Sequence, residues 1–245
     1  MGQAWPHPKR GSVPVAWSLD LMLAKQAPAW VEYFARTATA NDSFVAALQG
    51  NGYLMLNEVS PLQLQRYAET VGQLLKAHMT PPFLVDSYGF ASLATMDNYS
   101  RFATAGGATP GAFLAEPLYT NPTAARFGPL RTPSDGNTVL SDGKTPVLAT
   151  TAQLFFFQGQ VARAKCPSCV LAAEIAAFAH ARKPPYFVHL WGGIEPWLLP
   201  IANDSPVELW NLAAATQEAL GEGFEIVGAG ELVRLSREAT AAGLV

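Results

Sequence analysis

Short apolar runs alternate with longer segments of helical periodicity along the whole chain. The runs are five or six residues long, and most are bounded by glycine, proline or polar clusters, as buried strands are. They predict seven strands, at residues 12–17, 44–48, 83–87, 111–116, 146–151, 186–191 and 224–228. Strands that alternate with helices are typical of a parallel sheet whose connections cross over through helices.

The clearest helical pattern spans residues 60–79. Ser60 and Pro61 suit the N-cap and the first helical position. Apolar side chains then return at helical spacing, at Leu64, Tyr67, Ala68, Val71, Leu74 and Leu75. Further helical patterns cover residues 23–37, with a break or kink at Pro28, and residues 171–183, 205–220 and 230–243.

Strands that are each followed by a helix or a long loop predict one α/β domain over residues 1–245, a (β/α) barrel-like fold with about seven parallel strands. Residues 117–145 interrupt the pattern, because Pro, Gly, Thr and Asp break every period there. A structureless stretch of that length inside a compact domain is usually a functional loop. We expect it to follow the fourth strand.

The composition supplies a large core and excludes several partners. Hydrophobic residues make up 49% of the chain and charged residues 14%, against about 25% charged in an average globular protein. The net charge is -3, and no run of basic residues is longer than Lys9-Arg10. This distribution predicts no nucleic acid partner. No apolar stretch approaches the ~20 residues of a membrane span, and no signal peptide is evident, so the sequence leaves the localisation open.

In a parallel α/β barrel the ligand groups follow the carboxyl ends of the strands. The residues at those places in this chain are rich in carboxylates and aromatic rings and poor in Lys and Arg. Aromatic faces stack on sugar rings while polar groups bond the hydroxyls, so we expect a carbohydrate substrate. The predicted binding residues are Trp17, Asp20, Asn51, Tyr53, Tyr88, His189 and Trp191.

Asp86, Glu116 and Glu195 are the candidate catalytic carboxylates. Glycoside hydrolysis needs two carboxyl groups, roughly 5 to 5.5 Å apart for retention or 6.5 to 9.5 Å apart for inversion. Other interpretations stay open, because a single carboxylate at a strand end also suits a helix N-cap or a surface charge. A histidine such as His189 is equally compatible with a hydrogen-bonded core residue, and aromatic rings at strand ends can simply close a barrel core.

The sequence predicts neither a metal site nor a cofactor. The four histidines are scattered, with no pair four residues apart and no H-E-x-x-H. Gly228 and Gly230 follow a predicted strand, but the third glycine and the acidic residue of a dinucleotide site are missing. Cys166 and Cys169 form a C-x-x-C pair, which suits either a redox site at a helix start or two small semi-buried residues.

The segment "LQGNGYLMLNEVSP", residues 48–61, contains an Asn-Gly pair between apolar residues. That pair is normally a strong hairpin signal. The helix start at Ser60-Pro61 favours a different interpretation, in which residues 49–59 are the loop between the second strand and a helix. Its glycines would let the backbone turn sharply at the mouth of the barrel.

Four stretches together resemble the C-terminal domain of the GxGYxYP putative glycoside hydrolases. The matching residues are 9–20, 23–53, 186–192 and 224–238, and the resemblance is tightest over 9–53. Residues 50–54, Gly-Asn-Gly-Tyr-Leu, match the G-x-G-Y-x part of the name-giving motif. Met55 and Leu56 stand where the family has Tyr and Pro.

The resemblance implies a barrel-type domain with sugar-related chemistry, and a partner domain preceding it. The chain is then expected to be a fragment or a truncated gene product that lacks this N-terminal domain. The leading hypothesis is a glycoside hydrolase that uses two of the three candidate carboxylates. The alternative, motivated by Met55 and Leu56, is a non-catalytic carbohydrate-binding or scaffold domain.

Overall fold

The computed structural model describes residues 5–52, 54–88, 91–116, 137–153, 166–180, 185, 187, 189–191 and 205–244. The strands are β1 Val15–Leu19, β2 Asp42–Ala46, β3 Leu84–Tyr88, β4 Ala112–Glu116, β5 Asn137–Val139, β6 Pro146–Gln153 and β7 His189–Trp191. The helices are α1 Leu23–Gln26, α2 Pro28–Thr37, α3 Pro61–His78, α4 Leu93–Gly106, α5 Pro167–His180, α6 Ser205–Leu220 and α7 Ala229–Ala241. In these ranges no helix is long and apolar enough to cross a membrane.

Five parallel strands form the centre of the sheet. They lie side by side in the order β1, β2, β3, β4 and β6. β5 pairs antiparallel with β6, and β7 pairs parallel with the last residues of β6. Because consecutive parallel strands are joined by right-handed crossovers, neighbouring strands in chain order place their helices on one face of the sheet.

Helices α3 and α4 cover that face, called here the outer face. Their apolar side chains pack in one core with sheet residues that share a register row, Ala46, Val85, Phe113 and Val147. The two helices touch closely at Gly72, where an added Cβ would lie 2.0 Å from the carbonyl oxygen of Ala103. Only glycine permits this approach.

Helix α7 packs on the opposite, inner face. Ala229 and Val233 lie in a second core with Leu84, Ala112 and Leu114, which alternate along β3 and β4 with the outer-face residues. The guanidinium of Arg237 donates a hydrogen bond of 2.8 Å to the carbonyl of Gly111, just before β4. Helix α7 therefore covers the inner face near the amino ends of the central strands.

A buried carboxylate, Asp42, fixes the N-terminal segment to the first two strands. Its side chain is 1% exposed and accepts hydrogen bonds from Arg10 at 2.6 Å, from the Trp17 indole at 2.7 Å and from the backbone and hydroxyl of Thr39. Burial alone would raise the pKa of Asp42, but these hydrogen bonds and the Arg10 charge outweigh it and lower the pKa below its usual value.

The structure confirms most of the predicted elements. Helix α3 carries the expected N-cap as a full capping box between Ser60 and Gln63, and the helical segment at 23–37 is divided at Pro28. The predicted strand at 224–228 is wrong, since these residues pair with no strand. The ring of Phe224 instead packs edge-on against His180 and is partly buried, although the segment forms no strand hydrogen bonds.

The α/β class with a parallel sheet is confirmed, whereas the seven-stranded barrel is not. Within the described ranges β1 pairs with β2 alone, and the sheet is not closed there. The predicted long loop at 117–145 ends in regular structure, because β5 and a turn occupy residues 137–145. Residues 117–136 lie outside the described ranges.

We predict that Asp42→Asn lowers the free energy of unfolding by about 2–3 kcal/mol, because a buried charged acceptor with several donors is replaced by a neutral amide. Urea denaturation of the two proteins measures the loss. The matched control is Glu32→Gln, which removes an ion pair with Arg36 whose side chains are 59% and 77% exposed. That substitution should change the free energy of unfolding by no more than about 0.5 kcal/mol. Equal losses in both variants would contradict the assigned role of Asp42.

The lowered pKa of Asp42 also sets a pH dependence. The carboxylate contributes fully to stability above its unfolded-state pKa of about 3.9, and the contribution is lost as the pH falls through the lower folded-state pKa. The difference in unfolding free energy between the native chain and Asp42→Asn should therefore be constant from about pH 7 to pH 5 and shrink below about pH 4. Denaturation at several pH values tests this, and a difference that grows on acidification would exclude it.

Candidate active site at the carboxyl ends of the strands

The loop between β2 and α3 has an unusual backbone. It begins with a 3₁₀ turn at Leu48–Gly50, in which Gln49 has a φ of 62°. Gly50 and Gly52 follow with φ values of 94° and 97°. A left-handed conformation is costly for a non-glycine residue such as Gln49, and such residues concentrate at functional sites. The Asn-Gly pair therefore belongs to a strand-to-helix loop and not to a hairpin.

Two tyrosine hydroxyls hold this loop from the outer-face helices. Tyr99, on α4, is fully buried and donates to the carbonyl of Gln49. Tyr67, on α3, donates to the carbonyl of Gly52 at 3.1 Å. The amide of Leu21 reaches the carbonyl of Gly50 at 3.3 Å. The carbonyls of Gln49, Gly50 and Gly52 thus accept hydrogen bonds from donors outside the loop, which restricts its shape.

The electrostatics of the tyrosines keep them as donors. Burial raises the pKa of Tyr67 far above its usual value. A hydrogen bond with the Asn51 backbone lowers it by a smaller amount, and the negative charge of Asp20 raises it slightly further. Burial, followed by the neighbouring Tyr67, raises the pKa of Tyr99 as well. Both phenols therefore stay protonated at neutral pH.

Asp20 and Asn51, two predicted binding residues, come together at the carboxyl ends of β1 and β2. Asp20 is exposed, and its Oδ1 accepts a hydrogen bond of 2.8 Å from the amide of Met22. A Cβ on Gly52 would lie 3.9 Å from Oδ2 of Asp20. The carboxylate is therefore beside the loop between β2 and α3, called here the glycine loop. Oδ1 of Asn51 is enclosed and has no hydrogen-bond partner among the described residues.

Trp17 has a different position. It lies within β1 and is 5% exposed. Its ring packs against Trp5, at a centroid distance of 5.2 Å, and against Trp210 at 6.3 Å. The indole N–H is bonded to Asp42. Trp17 is therefore part of the hydrophobic core, and its face is covered by other aromatic rings.

The candidate carboxylates Asp86 and Glu116 stand at the ends of neighbouring strands. In the register of β3 and β4, Asp86 is opposite Leu114, and Tyr88 is opposite Glu116. Positions 86, 88, 114 and 116 thus form two successive rows of the same sheet, since strand residues two apart share a face. The sequence-predicted candidates of β3 and β4 are neighbours in the backbone.

The remaining candidates continue along the same edge or lie elsewhere. His189 and Trp191 belong to β7, in register with Thr150 and Gln153 of β6. Tyr53 and Glu195 lie outside the described residues. Within the described ranges no group of three His, Cys, Asp or Glu side chains could hold a metal ion.

Sequence reasoning missed Tyr67 and Tyr99 as determinants of the site, and it gave no sign of the left-handed backbone at Gln49. Tyr67 fits the apolar pattern of α3, but its hydroxyl donates a hydrogen bond to a carbonyl fifteen residues away in the chain. The only local signal was the pair of glycines around Asn51, which announces an unusual backbone but not the donors that hold it.

We predict that Gly50→Ala destabilises the protein more than Gly223→Ala. Both glycines have similar positive φ values, 94° and 90°. A Cβ on Gly50 would lie 2.6 Å from Cγ1 of Val71, whereas a Cβ on Gly223 would have no heavy atom of the described residues within 4 Å. The conformational cost of about 1 kcal/mol applies to both, and overpacking adds about 1–3 kcal/mol at Gly50. Urea denaturation measures both, and equal losses would show that the contact with Val71 is unimportant.

The comparisons with known proteins concern the fold and the family. In solved structures, the chain is similar to a putative hydrolase from Bacteroides thetaiotaomicron VPI-5482, with a TM-score of 0.68 and 11% sequence identity. The similarity covers 97% of this chain and 41% of that one, so the chain spans less than half the length of that protein. At this identity the likeness shows a common fold alone. No curated protein sequence matches the chain.

The family comparison covers the part of the chain that contains the glycine loop. The model of the GxGYxYP putative glycoside hydrolase C-terminal domain matches residues 1–101. These residues include β1 to β3, the loop that follows β2, and most of α4. The match confirms over residues 1–101 the resemblance seen in the sequence.

Proposed function

We propose that this chain hydrolyses glycosidic bonds with a pair of carboxylates at the carboxyl edge of its parallel sheet. The family model that matches residues 1–101 is described as a putative glycoside hydrolase domain, and the similar solved structure is described as a putative hydrolase. The observation that carries the proposal is the register of β3 and β4, which makes Asp86 and Glu116 neighbours in the backbone.

The backbone spacing suits the reaction. Glu116 is two residues beyond Leu114, the register partner of Asp86. With about 4.8 Å between strands and about 3.3 Å per residue, the Cα atoms of the two acids lie roughly 8 Å apart. Side chains of this length can bring their carboxyl groups into the range of roughly 5 to 9.5 Å that retaining and inverting glycosidases use.

In this mechanism one acid protonates the oxygen of the leaving sugar. The other attacks the anomeric carbon directly or activates a water molecule for that attack. Glu195 is a third candidate for either role.

Polar groups beside the pair would bind the hydroxyls of the sugar. Asp20 is exposed at the end of β1, next to the glycine loop, and can accept hydrogen bonds from hydroxyl groups. Asn51, in the glycine loop itself, offers a side-chain amide for the same purpose. Tyr53, Tyr88 and Trp191 offer aromatic surface for stacking, and His189 a further hydrogen-bonding group. The shape of the loop, and so the position of Asp20 relative to Asn51, depends on the buried tyrosines.

The test begins with a glycan array, followed by a hydrolysis assay on the glycans that bind. On a confirmed substrate, Asp86→Asn and Glu116→Gln should each lower kcat by about 10²- to 10⁴-fold while leaving glycan binding within a few-fold. The matched control is Glu231→Gln, which neutralises an exposed carboxylate paired with Arg234 on α7, at the other edge of the sheet. It should retain full activity.

The outcome also separates the candidates. If Asp86→Asn and Glu116→Gln both hydrolyse the substrate at the native rate, the proposed pair is wrong. If only one of the two is inactive and Glu195→Gln is inactive as well, the pair includes Glu195. Glycan binding without any hydrolysis by the native chain would contradict the proposed activity.

A further inference from the structure

A disulfide bond joins Cys166 and Cys169 at the start of α5. Cys166 directly precedes Pro167, the first residue of the helix, and is half-buried, whereas Cys169 is exposed in the first turn. The two residues joined by the bond therefore differ in their exposure to solvent, and we expect a dissolved thiol to reach Cys169 more readily. Neither the parallel sheet nor the proposed hydrolysis uses this pair.

The bond contributes little as a structural cross-link. A disulfide stabilises a fold mainly by restricting the unfolded chain, and the effect increases with the length of the closed loop. Here the cysteines are only three residues apart and lie at one helix end. The helix backbone already holds them together, so the bond adds almost no long-range restraint.

The surroundings favour release of Cys166 as a thiolate. The amide N–H of Cys169 donates to the sulfur of Cys166 at 3.3 Å. The amino end of α5, a helix of 14 residues, carries partial positive charge toward the same sulfur. Cysteines at helix starts and in C-x-x-C pairs are the ones whose thiolates are stabilised. A stabilised thiolate is the better leaving group in thiol–disulfide exchange.

We propose that the Cys166–Cys169 disulfide is a thiol–disulfide exchange site, reduced by an external thiol that attacks the exposed sulfur of Cys169. The substrate class is a low-molecular-weight or protein thiol. This activity is independent of the proposed hydrolysis, and the two can fail separately.

The exchange balances as two successive displacements. The thiolate of the external thiol bonds to Sγ of Cys169, the bond between the two cysteines breaks, and its electron pair leaves on Sγ of Cys166. A second thiol then attacks the mixed disulfide at the sulfur of the first thiol and releases Cys169. In total, one protein disulfide and two thiols become two protein thiols and one external disulfide, with two electrons transferred to the protein.

The first experiment uses the native chain and glutathione. The oxidised protein is mixed with reduced glutathione, quenched with acid after short times, and digested for mass spectrometry. We expect the mixed disulfide on Cys169, and reduction about tenfold or more faster than that of oxidised glutathione by the same thiol, because of the better leaving group. An adduct on Cys166, or reduction no faster than that reference, would overturn the proposal.

The second experiment uses the two single-cysteine variants as a matched pair. Cys169→Ser leaves the sulfur that receives the helix-end amide, and Cys166→Ser leaves the exposed one. Iodoacetamide alkylation over a pH series should give a lower midpoint for Cys166 in the first variant than for Cys169 in the second. A reversed or equal order would overturn the assigned leaving group. Far-UV circular dichroism checks both folds, and the experiment on the native chain decides if either variant is unfolded.

Discussion

The hydrogen bond from the buried Tyr99 hydroxyl to the carbonyl of Gln49 is the constraint on which the site depends. Gln49 has a left-handed backbone that its side chain does not favour, and the loop is held in it by neighbours. One such bond contributes only about 1 kcal/mol, but leaving either partner buried and unpaired costs about 1–3 kcal/mol. The loop and α4 must therefore keep their relative positions. The hydrogen bond from Tyr67 to the carbonyl of Gly52 restricts the position of α3 in the same way.

This arrangement makes the outer-face core part of the site although it touches no substrate. Close packing of α3 and α4 at Gly72 sets where their tyrosine hydroxyls lie. Those hydroxyls set the glycine loop, and the loop brings Asn51 near Asp20. Because burial raises the pKa of both tyrosines, their donor role is unchanged over the neutral pH range. The hydrogen bonds that hold the loop are therefore insensitive to pH in that range.

Signals within a short segment predicted most helices and strands well. The predictions failed where contacts between distant segments determine the structure. Helix α6 has the predicted bounds, because Ser205-Pro206 starts it and Gly221 follows its end. Residues 224–228 have the composition of a strand, but the composition of a segment does not provide a partner. The predicted strand at 12–17 ended at Trp17, whereas β1 continues to Leu19, so the indole lies inside the strand and in the core. The roles of Tyr67 and Tyr99 depend on contacts between distant segments, which one sequence does not reveal.

The two edges of the sheet differ in how their polar side chains are paired. At the amino edge, Asp42 binds Arg10, and Arg237 ties α7 to Gly111, so distant segments are cross-linked there as they are by Tyr99 and Tyr67 at the loop after β2. At the carboxyl edge, the described side chains include an exposed aspartate and an enclosed amide oxygen without a partner. A buried polar group without a partner weakens a fold, and proteins tolerate such groups at functional sites by compensating elsewhere. A parallel sheet keeps the two sets of contacts apart, since every strand begins at one edge and ends at the other, and the bonds of Asp42 and Arg237 do not involve the residues at the strand ends.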